Sequence, residues 1–577
     1  RPIFSALSGV YGIEQIPASM IERVEVMRGG GSALFGSSAI AGTINIITKE
    51  PMRNSGMLSH TITGIGDGDV FDNSTALNAS LVTDDQRAGL YIFGQNRHRS
   101  AYDHDGDGYS EIPKLHGQTI GFRSFLKTTT YSKLTFEYHH MEEFRRGGDL
   151  LNRPPHEANV AEQTEHSING GGLKFDYFSP NENHRFNVFA SAQHINRDSY
   201  YGPGDRDPLD AYGNTTDLNW MAGSQYVYSF GKCIFMPSDL TAGIEFNQDK
   251  LEDNMWGYNR TVDQKVNIGS AFLQNEWKND HWGFLIGGRL DKHNLIDHVI
   301  FSPRANLRYN PTENINLRFS YSSGFRAPQA FDEDLHVENV GGNVAMVELA
   351  DNLKEERSQS LSASADIYHR FGAFQVNFLV EGFYTKLSDV FALTDGEVVD
   401  GILTRTRHNA SGAQVLGLTL EGKMAYLNKI QVQAGVTLQQ SHYSKPHIWN
   451  KEAPAVKKMM RTPNTYGYFT ATYTPIKPLS IALSGTYTGS MLVPHEPVPG
   501  FLENPITVNT KDFFDIGLKA AYDFKLYKSM NLQLNAGIQN IFNAYQDDFD
   551  KGADRDSGYI YGPSLPRSFF AGVKISY

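Results

Sequence analysis

The stretch DHDGDGYSEIP places Asp103, Asp105, Asp107 and Gly108 at the alternate spacing of a cation-binding loop. Carboxylate oxygens at every second position, with glycine making the bend, suit a hard ion such as calcium. The last ligand position of such a loop holds Lys114 instead of a bidentate glutamate, and Glu111 is the residue that can stand in. The expectation is a calcium site of Asp103, Asp105, Asp107 and Glu111, with a solvated acidic loop tip as the competing reading. Asp547, Asp548, Asp550, Asp554 and Asp556 form a second acidic cluster of irregular spacing, a poorer match to a metal loop. Tyr200, Tyr201, Trp256, Tyr258 and Trp449 offer flat faces that could stack on a macrocycle. A membrane-interface girdle uses the same residue types. His139 and His140, if in a strand, point to opposite faces and cannot chelate one ion from there. No HExxH, GxSxG or phosphate-loop lysine occurs, so no motif calls for a catalysed reaction and no enzyme is expected.

These groups need a scaffold, and the clearest element is the last one, SFFAGVKISY. Phe569, Ala571, Val573, Ile575 and Tyr577 fall on one face, with Lys574 and Ser576 on the other. Such a strand suits the closing edge of a barrel against lipid. The chain of 577 residues is only 40% hydrophobic, yet it carries 29 Tyr, 35 Phe and 54 Gly. No run of 18 apolar residues exists to make a membrane helix. A transmembrane strand alternates, so a barrel is polar on average and still spans a bilayer. The net charge of -12 argues against nucleic acid as a partner. Cys233 is the only cysteine, which excludes an internal disulfide framework and a CxxC metal knuckle.

Alternating runs break at short polar turns near 84–86, 131–133, 180–183, 231–233, 279–281, 310–313, 371–373, 427–429, 475–478 and 527–529. Most lie roughly 50 residues apart, the length of two strands of about ten residues, a short turn and a long loop. Ten turns join twenty strands; the first strand, near Gly56 to Gly64, and the last bring the reading to 22. The long loops, among them 101–116, 199–217, 324–357, 442–464 and 543–567, fall on the opposite side, where function is expected. The fold class expected is therefore membrane all-β: a 22-stranded antiparallel transmembrane β-barrel over residues 54–577.

Residues 1–53 break this rhythm. IERVEV alternates as a strand, GGGSALFG turns, and GTINIIT forms a second strand, giving a small mixed α/β unit. The glycine run lacks the GK[ST] of a phosphate loop and is read as a tight turn using positive dihedrals. Glu22, Arg23, Glu25 and Arg28 are read as ion pairs to the barrel. The segment IERVEVMRGGGSALFGSSAIAGTINIITKEP resembles the end of the plug domain of TonB-dependent outer-membrane receptors. The resemblance makes Glu22, Arg23, Glu25, Arg28, Gly29 and Gly36 the plug motif. It extends in outline to Gly562-Pro563 and Pro566-Arg567 before the final strand. Plugs of this family are longer and follow a TonB-binding box, and Arg1-Pro2-Ile3 lacks a secretory signal, so the expectation is that the sequence starts inside a longer protein.

The resemblance also covers Gly324-Phe325-Arg326-Ala327-Pro328, similar to the family's FRAP box. In the haem-transporting branch a histidine lies between that box and an NPNL-type box. His336 holds this place, while Ala350-Asp351-Asn352-Leu353 lacks the proline. Imidazole is a good axial ligand to haem iron; a hydrogen bond from His336 to Asp332, Glu333 or Asp334 is the alternative. Phe325, Arg326, Tyr200, Tyr201, Trp256 and Tyr258 join His336 as ligand-binding candidates. What the resemblance implies is active uptake of a scarce metal-containing nutrient across a Gram-negative outer membrane. Haem or cobalamin is the first expectation, a ferric siderophore the alternative, and a passive porin or adhesin the more distant one. The TonB-ExbB-ExbD complex, outer-membrane lipids and a surface lipoprotein lid are the partners it implies, with calcium in loop 101–116.

Overall fold

The computed structural model describes residues 18–28, 31–36, 39–40, 42–66, 68, 70–202, 207–256, 260–328, 344–399 and 402–577. His336, Tyr258 and Gly29 lie outside them.

Alternation builds the wall. In strand Ser568–Ser576, Phe569 and Val573 are exposed outward, while Ser568 is fully buried. This strand pairs antiparallel with the first, Ser55–Ile65, setting Leu58 opposite Ile575. The sheet thereby closes as a 22-strand antiparallel barrel with no free edge. Leu58, Ile120, Ile244 and Ile286 are among the apolar side chains on its outer face, which is stable only against hydrocarbon. The short connections lie at or beside the expected breaks, as between Phe371 and Phe374 or Tyr426 and Ile430. One falls later than expected, at Ile234 and Phe235. Near this end the aromatics stack in pairs: Trp282 on Tyr309 at 4.2 Å and Phe235 on Trp277 at 5.6 Å. They form the interfacial girdle.

Strand length corrects the sequence expectation of about ten residues. Tyr212–Cys233 has 22 residues and Met236–Met255 has 20. Some 9–11 residues cross a bilayer, so the ladder continues well above it. It can do so because Thr215, Asp217 and Asn219, at every second position, turn a polar face inward where they are buried. The outer loops also hold a sheet of their own, in which Ile402–Asn409 pairs with Phe391–Val399 and Val344–Leu349.

The N-terminal unit consists of β1 (Ile21–Arg28), the single turn α1 (Ser32–Phe35) and β2 (Gly42–Thr48). β1 and β2 pair antiparallel, with Val24 opposite Ile46. In the glycine run, Gly29 and Gly30 lie outside the described residues, and Gly31 differs from expectation. Gly31 has φ -114 and needs no left-handed freedom; it is small because a Cβ there would meet Met27 Cε and Thr43 Oγ1 at 2.7 Å. Among the described residues of this unit, a positive dihedral falls at Gly36, with φ +82.

Candidate functional site: the plug interface and the outer rim

Short polar residues and glycines bring the N-terminal unit against the inner wall. Ser32 Oγ, fully buried at the start of α1, accepts a hydrogen bond of 3.0 Å from the Phe325 backbone N–H. Ser358 Oγ donates to the Ile40 carbonyl at 2.6 Å. Gly324 permits this approach, since a Cβ there would lie 2.7 Å from the Ala39 carbonyl oxygen. After β2, Glu50 meets Arg123 at 3.0 Å and Lys133 at 3.3 Å, and Arg123 also donates to Thr48. Beyond Gly36, Arg289 Nη2 lies 3.0 Å from where a Cβ would stand. Arg289 itself is held between Glu245 at 2.6 Å and Asp291 at 2.8 Å, all three nearly free of solvent.

These contacts correct the expected ion pairs. Arg23 meets Glu25 at 2.8 Å and Glu22 at 3.7 Å along its own strand, with about half of each side chain in water. Adjacent exposed charges on one strand find each other more cheaply than they find the wall. Arg28 ends β1. The side chain of Arg28 lies outside the described ones; among the described residues, charges that do join the unit to the barrel include Glu50, Arg123 and Lys133, which the motif does not include. Beside β2 a cavity of about 490 Å³ separates Ile47 and Lys49 from Tyr91, Phe93, His139 and Phe189 of the wall. His139 faces it, whereas His140 bonds Asn169 on the other face, as the strand period requires.

The FRAP-like box is part of this packing. Phe325 is 1% exposed in a cluster with Ile296, Ile300 and Ala327. Arg326 lies 3.7 Å from Glu356 and over the Phe391 ring. Tyr200 and Tyr201 are each 1% exposed; Tyr200 packs on Tyr212 at 4.9 Å beside Ala158, Ala161 and Ala211. All these faces are spent on the protein's own core, so none of the three aromatics presents a stacking surface. Trp256, 64% exposed just beyond the outer end of strand Met236–Met255, does.

At the rim, the first outer loop meets the last. Asp103 accepts from the Gly106 and Gly108 N–H groups at 2.8 Å. Asp103, Asp105 and Glu111 bring ligand atoms within 4.8 Å of one another, close enough to share a cation. Asp107, expected to join them, pairs with Arg555 of the final loop and accepts from the Gly552 N–H at 2.7 Å. Arg555 also donates to Glu111 at 2.7 Å and covers the Tyr109 ring. A guanidinium thus occupies part of the role assigned to calcium. Burial would raise the pKa of Asp107, but the Gly552 and Tyr109 N–H groups and Arg555 outweigh it and hold Asp107 below its ordinary value. For Glu111, more deeply buried, desolvation prevails over the His104 N–H and Arg555, and its pKa is raised. The second acidic cluster is dispersed: Asp548 accepts from Tyr559 and Tyr561, and Asp550 pairs with His495 at 2.9 Å. Sequence reading missed Arg555 and His495 because their partners lie far away along the chain.

A plugged barrel with this rim has relatives. The TonB dependent receptor-like beta-barrel family matches residues 56–541, and the TonB-dependent receptor plug domain matches residues 1–43. The iron-regulated outer membrane virulence protein of Vibrio cholerae is 26% identical over 58% of this chain and 49% of its own. Vitamin B12 transporter BtuB of Vibrio vulnificus is 23% identical over 57% of this chain and 51% of its own. The chain spans about half the length of these curated relatives. Among solved structures, the siderophore receptor PirA from Acinetobacter baumannii superposes with TM-score 0.77 at 17% identity, covering 98% of this chain and 86% of that one. The ferric-catecholate import receptor Fiu from E. coli gives 0.72 at 14%, covering 97% and 86%. At such identities the structures speak for the fold. With the barrel family matching most of its length, the chain belongs to the TonB-dependent receptors, plugged β-barrels of the Gram-negative outer membrane.

Proposed function

We propose that this receptor imports a scarce metal-containing nutrient, with the plug as the gate and an energy-coupling TonB-ExbB-ExbD complex as its motor. The observation that carries the reading is the seating of the plug segment. Among the described residues, its anchors at Ser32, Ile40 and Glu50 are a few hydrogen bonds and partly exposed ion pairs. Such an interface resists spontaneous opening yet yields to a pull. Haem or cobalamin at His336 is one ligand class within this reading. A ferric siderophore is the other, and the burial of Phe325, Tyr200 and Tyr201 favours it by removing the macrocycle-stacking faces.

The test is a visible titration of the full-length receptor in detergent with haem, cobalamin and a ferric siderophore. A perturbed Soret band that is lost in His336→Ala assigns haem, and perturbed corrin bands assign cobalamin. Saturable quenching by the ferric chelate alone assigns a siderophore; no response to any of them overturns the reading. Calcium bound by Asp103, Asp105 and Glu111 belongs to the same proposal. Adding it should slow proteolysis within 101–110, and an unchanged rate would remove the metal. A surface lipoprotein lid, as in the family expectation, would rest on the same rim.

A further inference from the structure

We propose that His98 and His116 chelate a transition-metal ion of the copper, nickel and zinc class on the outer wall of the barrel, where it staples the base of the first outer loop. The site lies outside the lumen and does not depend on which nutrient is imported.

Strand period puts both imidazoles on the outside. In Ala88–Arg99, Phe93 lines the inner cavity, so Ile92, Gly94, Asn96 and His98 take the opposite face. In Ser110–Thr129, Arg123 meets the plug segment from within, while the exposed Ile120 faces out together with Gln118 and His116. His116 is four residues beyond Ile120 on the loop side, roughly 13 Å along the strand. Asn96 and Gln118 pair with each other between them. The apolar row has ended at that level, so the two exposed histidines stand in water above the hydrocarbon.

Pairing sets them side by side. His98 is directly opposite His116 in the antiparallel ladder, one pair before Arg99 and Leu115. Their ring centroids are 5.7 Å apart, with 71° between the ring planes. A zinc–imidazole bond is about 2.0 Å and the ring centre lies roughly 1.1 Å farther on, so two rings on one tetrahedral ion have centroids about 5.2 Å apart. The pair has to close by only about 0.5 Å to share an ion. The second side-chain torsion of histidine is broad and supplies that rotation at little cost.

Both rings are available. Among the described residues, His98 makes no hydrogen bond or ion pair, and His116 makes one long contact, 3.4 Å from its Nε2 to the Gln118 side chain. Two imidazoles suit copper, nickel and zinc and are poor ligands for calcium. The acidic set of Asp103, Asp105 and Glu111 has the opposite preference. An ion on His98 and His116 ties together the strands that enter and leave the first outer loop. Cross-linking the base of a loop removes conformational freedom from it. Arg555 grips the same loop through Asp107 and Glu111, so the ion and the guanidinium restrain it at two separate places.

The experiment strips the full-length receptor in detergent with a chelator and titrates it calorimetrically with nickel, copper and zinc salts, with calcium present in excess. The wild type should take up one ion per chain at this site, copper most tightly. His98→Ala and His116→Ala, both at exposed positions, should each weaken that event by more than about a hundredfold, beyond the roughly 10- to 100-fold that outer-shell partners are worth. The ion should slow amide exchange at 97–100 and 114–117 several-fold in the wild type and in neither variant. Acidification should release it, since a protonated imidazole has no lone pair to give. Variants that each retain part of the binding would show two independent histidines and overturn the inference. So would displacement by calcium, unchanged exchange in a metal-loaded wild type, or uptake that vanishes with co-purified glycolipid instead of with the histidines.

Discussion

Replacing Arg289 by methionine is expected to lower the thermal unfolding midpoint of the barrel sharply. The guanidinium lies between Glu245 and Asp291, and all three side chains are at most 4% exposed. Methionine keeps much of the volume but strands two carboxylates in a dry wall. Breaking a buried pair in this way costs about 3–5 kcal/mol. Because the same guanidinium lies under Gly36, the plug should loosen as well, seen as entry of a large hydrophilic antibiotic into cells carrying the variant. Adding Glu245→Gln and Asp291→Asn should restore much of the loss, since the penalty is the uncompensated charge. An unchanged midpoint in the single variant would mean that water or another cation serves these carboxylates.

Arg555→Ala should separate the first outer loop from the last. Arg555 is 14% exposed, Asp107 10% and Glu111 1%, so its removal leaves two carboxylates facing each other with little solvent. Backbone amides in 101–109 and 545–558 should exchange on the order of a hundredfold faster, the effect of losing about 3 kcal/mol of local stability. Arg555→Lys keeps the charge but cannot bridge both partners, and should fall between. Acid should act in two stages. Glu111, its pKa raised above the ordinary 4.5 by burial, takes up a proton first, and the folded loop favours that form. Asp107 is held below its ordinary 3.8, so its contribution is fully present above that value. It is lost only as the pH falls through the depressed pKa. Loop exchange should therefore stay slow to about pH 4 and rise below it. A rise already near pH 6 would mean that a group other than these two carboxylates controls the clasp.

The barrel was legible because its signals are local. Strand period and polar turns are properties of neighbouring residues, so the runs around Phe371–Phe374 and Tyr426–Ile430 could be placed without partners. Strand length was not legible in the same way. Above the bilayer both faces of Tyr212–Cys233 and Met236–Met255 turn polar, and a polar ladder reads like a loop until its partner strand is known. The small sheet of Phe391–Val399 and Ile402–Asn409 escaped for that reason too.

The candidate site was legible only in part. The acidic loop was found from its spacing, but Asp107 was assigned to calcium because Arg555 stands 448 residues away along the chain. Tyr200, Tyr201 and Phe325 were chosen by type, and type does not tell a stacking face from a buried one. Glu22, Arg23 and Glu25 were given to the wall, yet on a strand their nearest partners are each other.

Import is tested most directly by metal accumulation in cells that carry the full-length receptor and no other uptake route for metal chelates. Labelled iron or cobalt, supplied as the ferric chelate, haem or cobalamin, is followed with and without a functional TonB. The account predicts that one of these metals accumulates inside the cell only when TonB is present, while surface binding persists without it. Accumulation that is indifferent to TonB, or surface binding with no uptake under either condition, would contradict it.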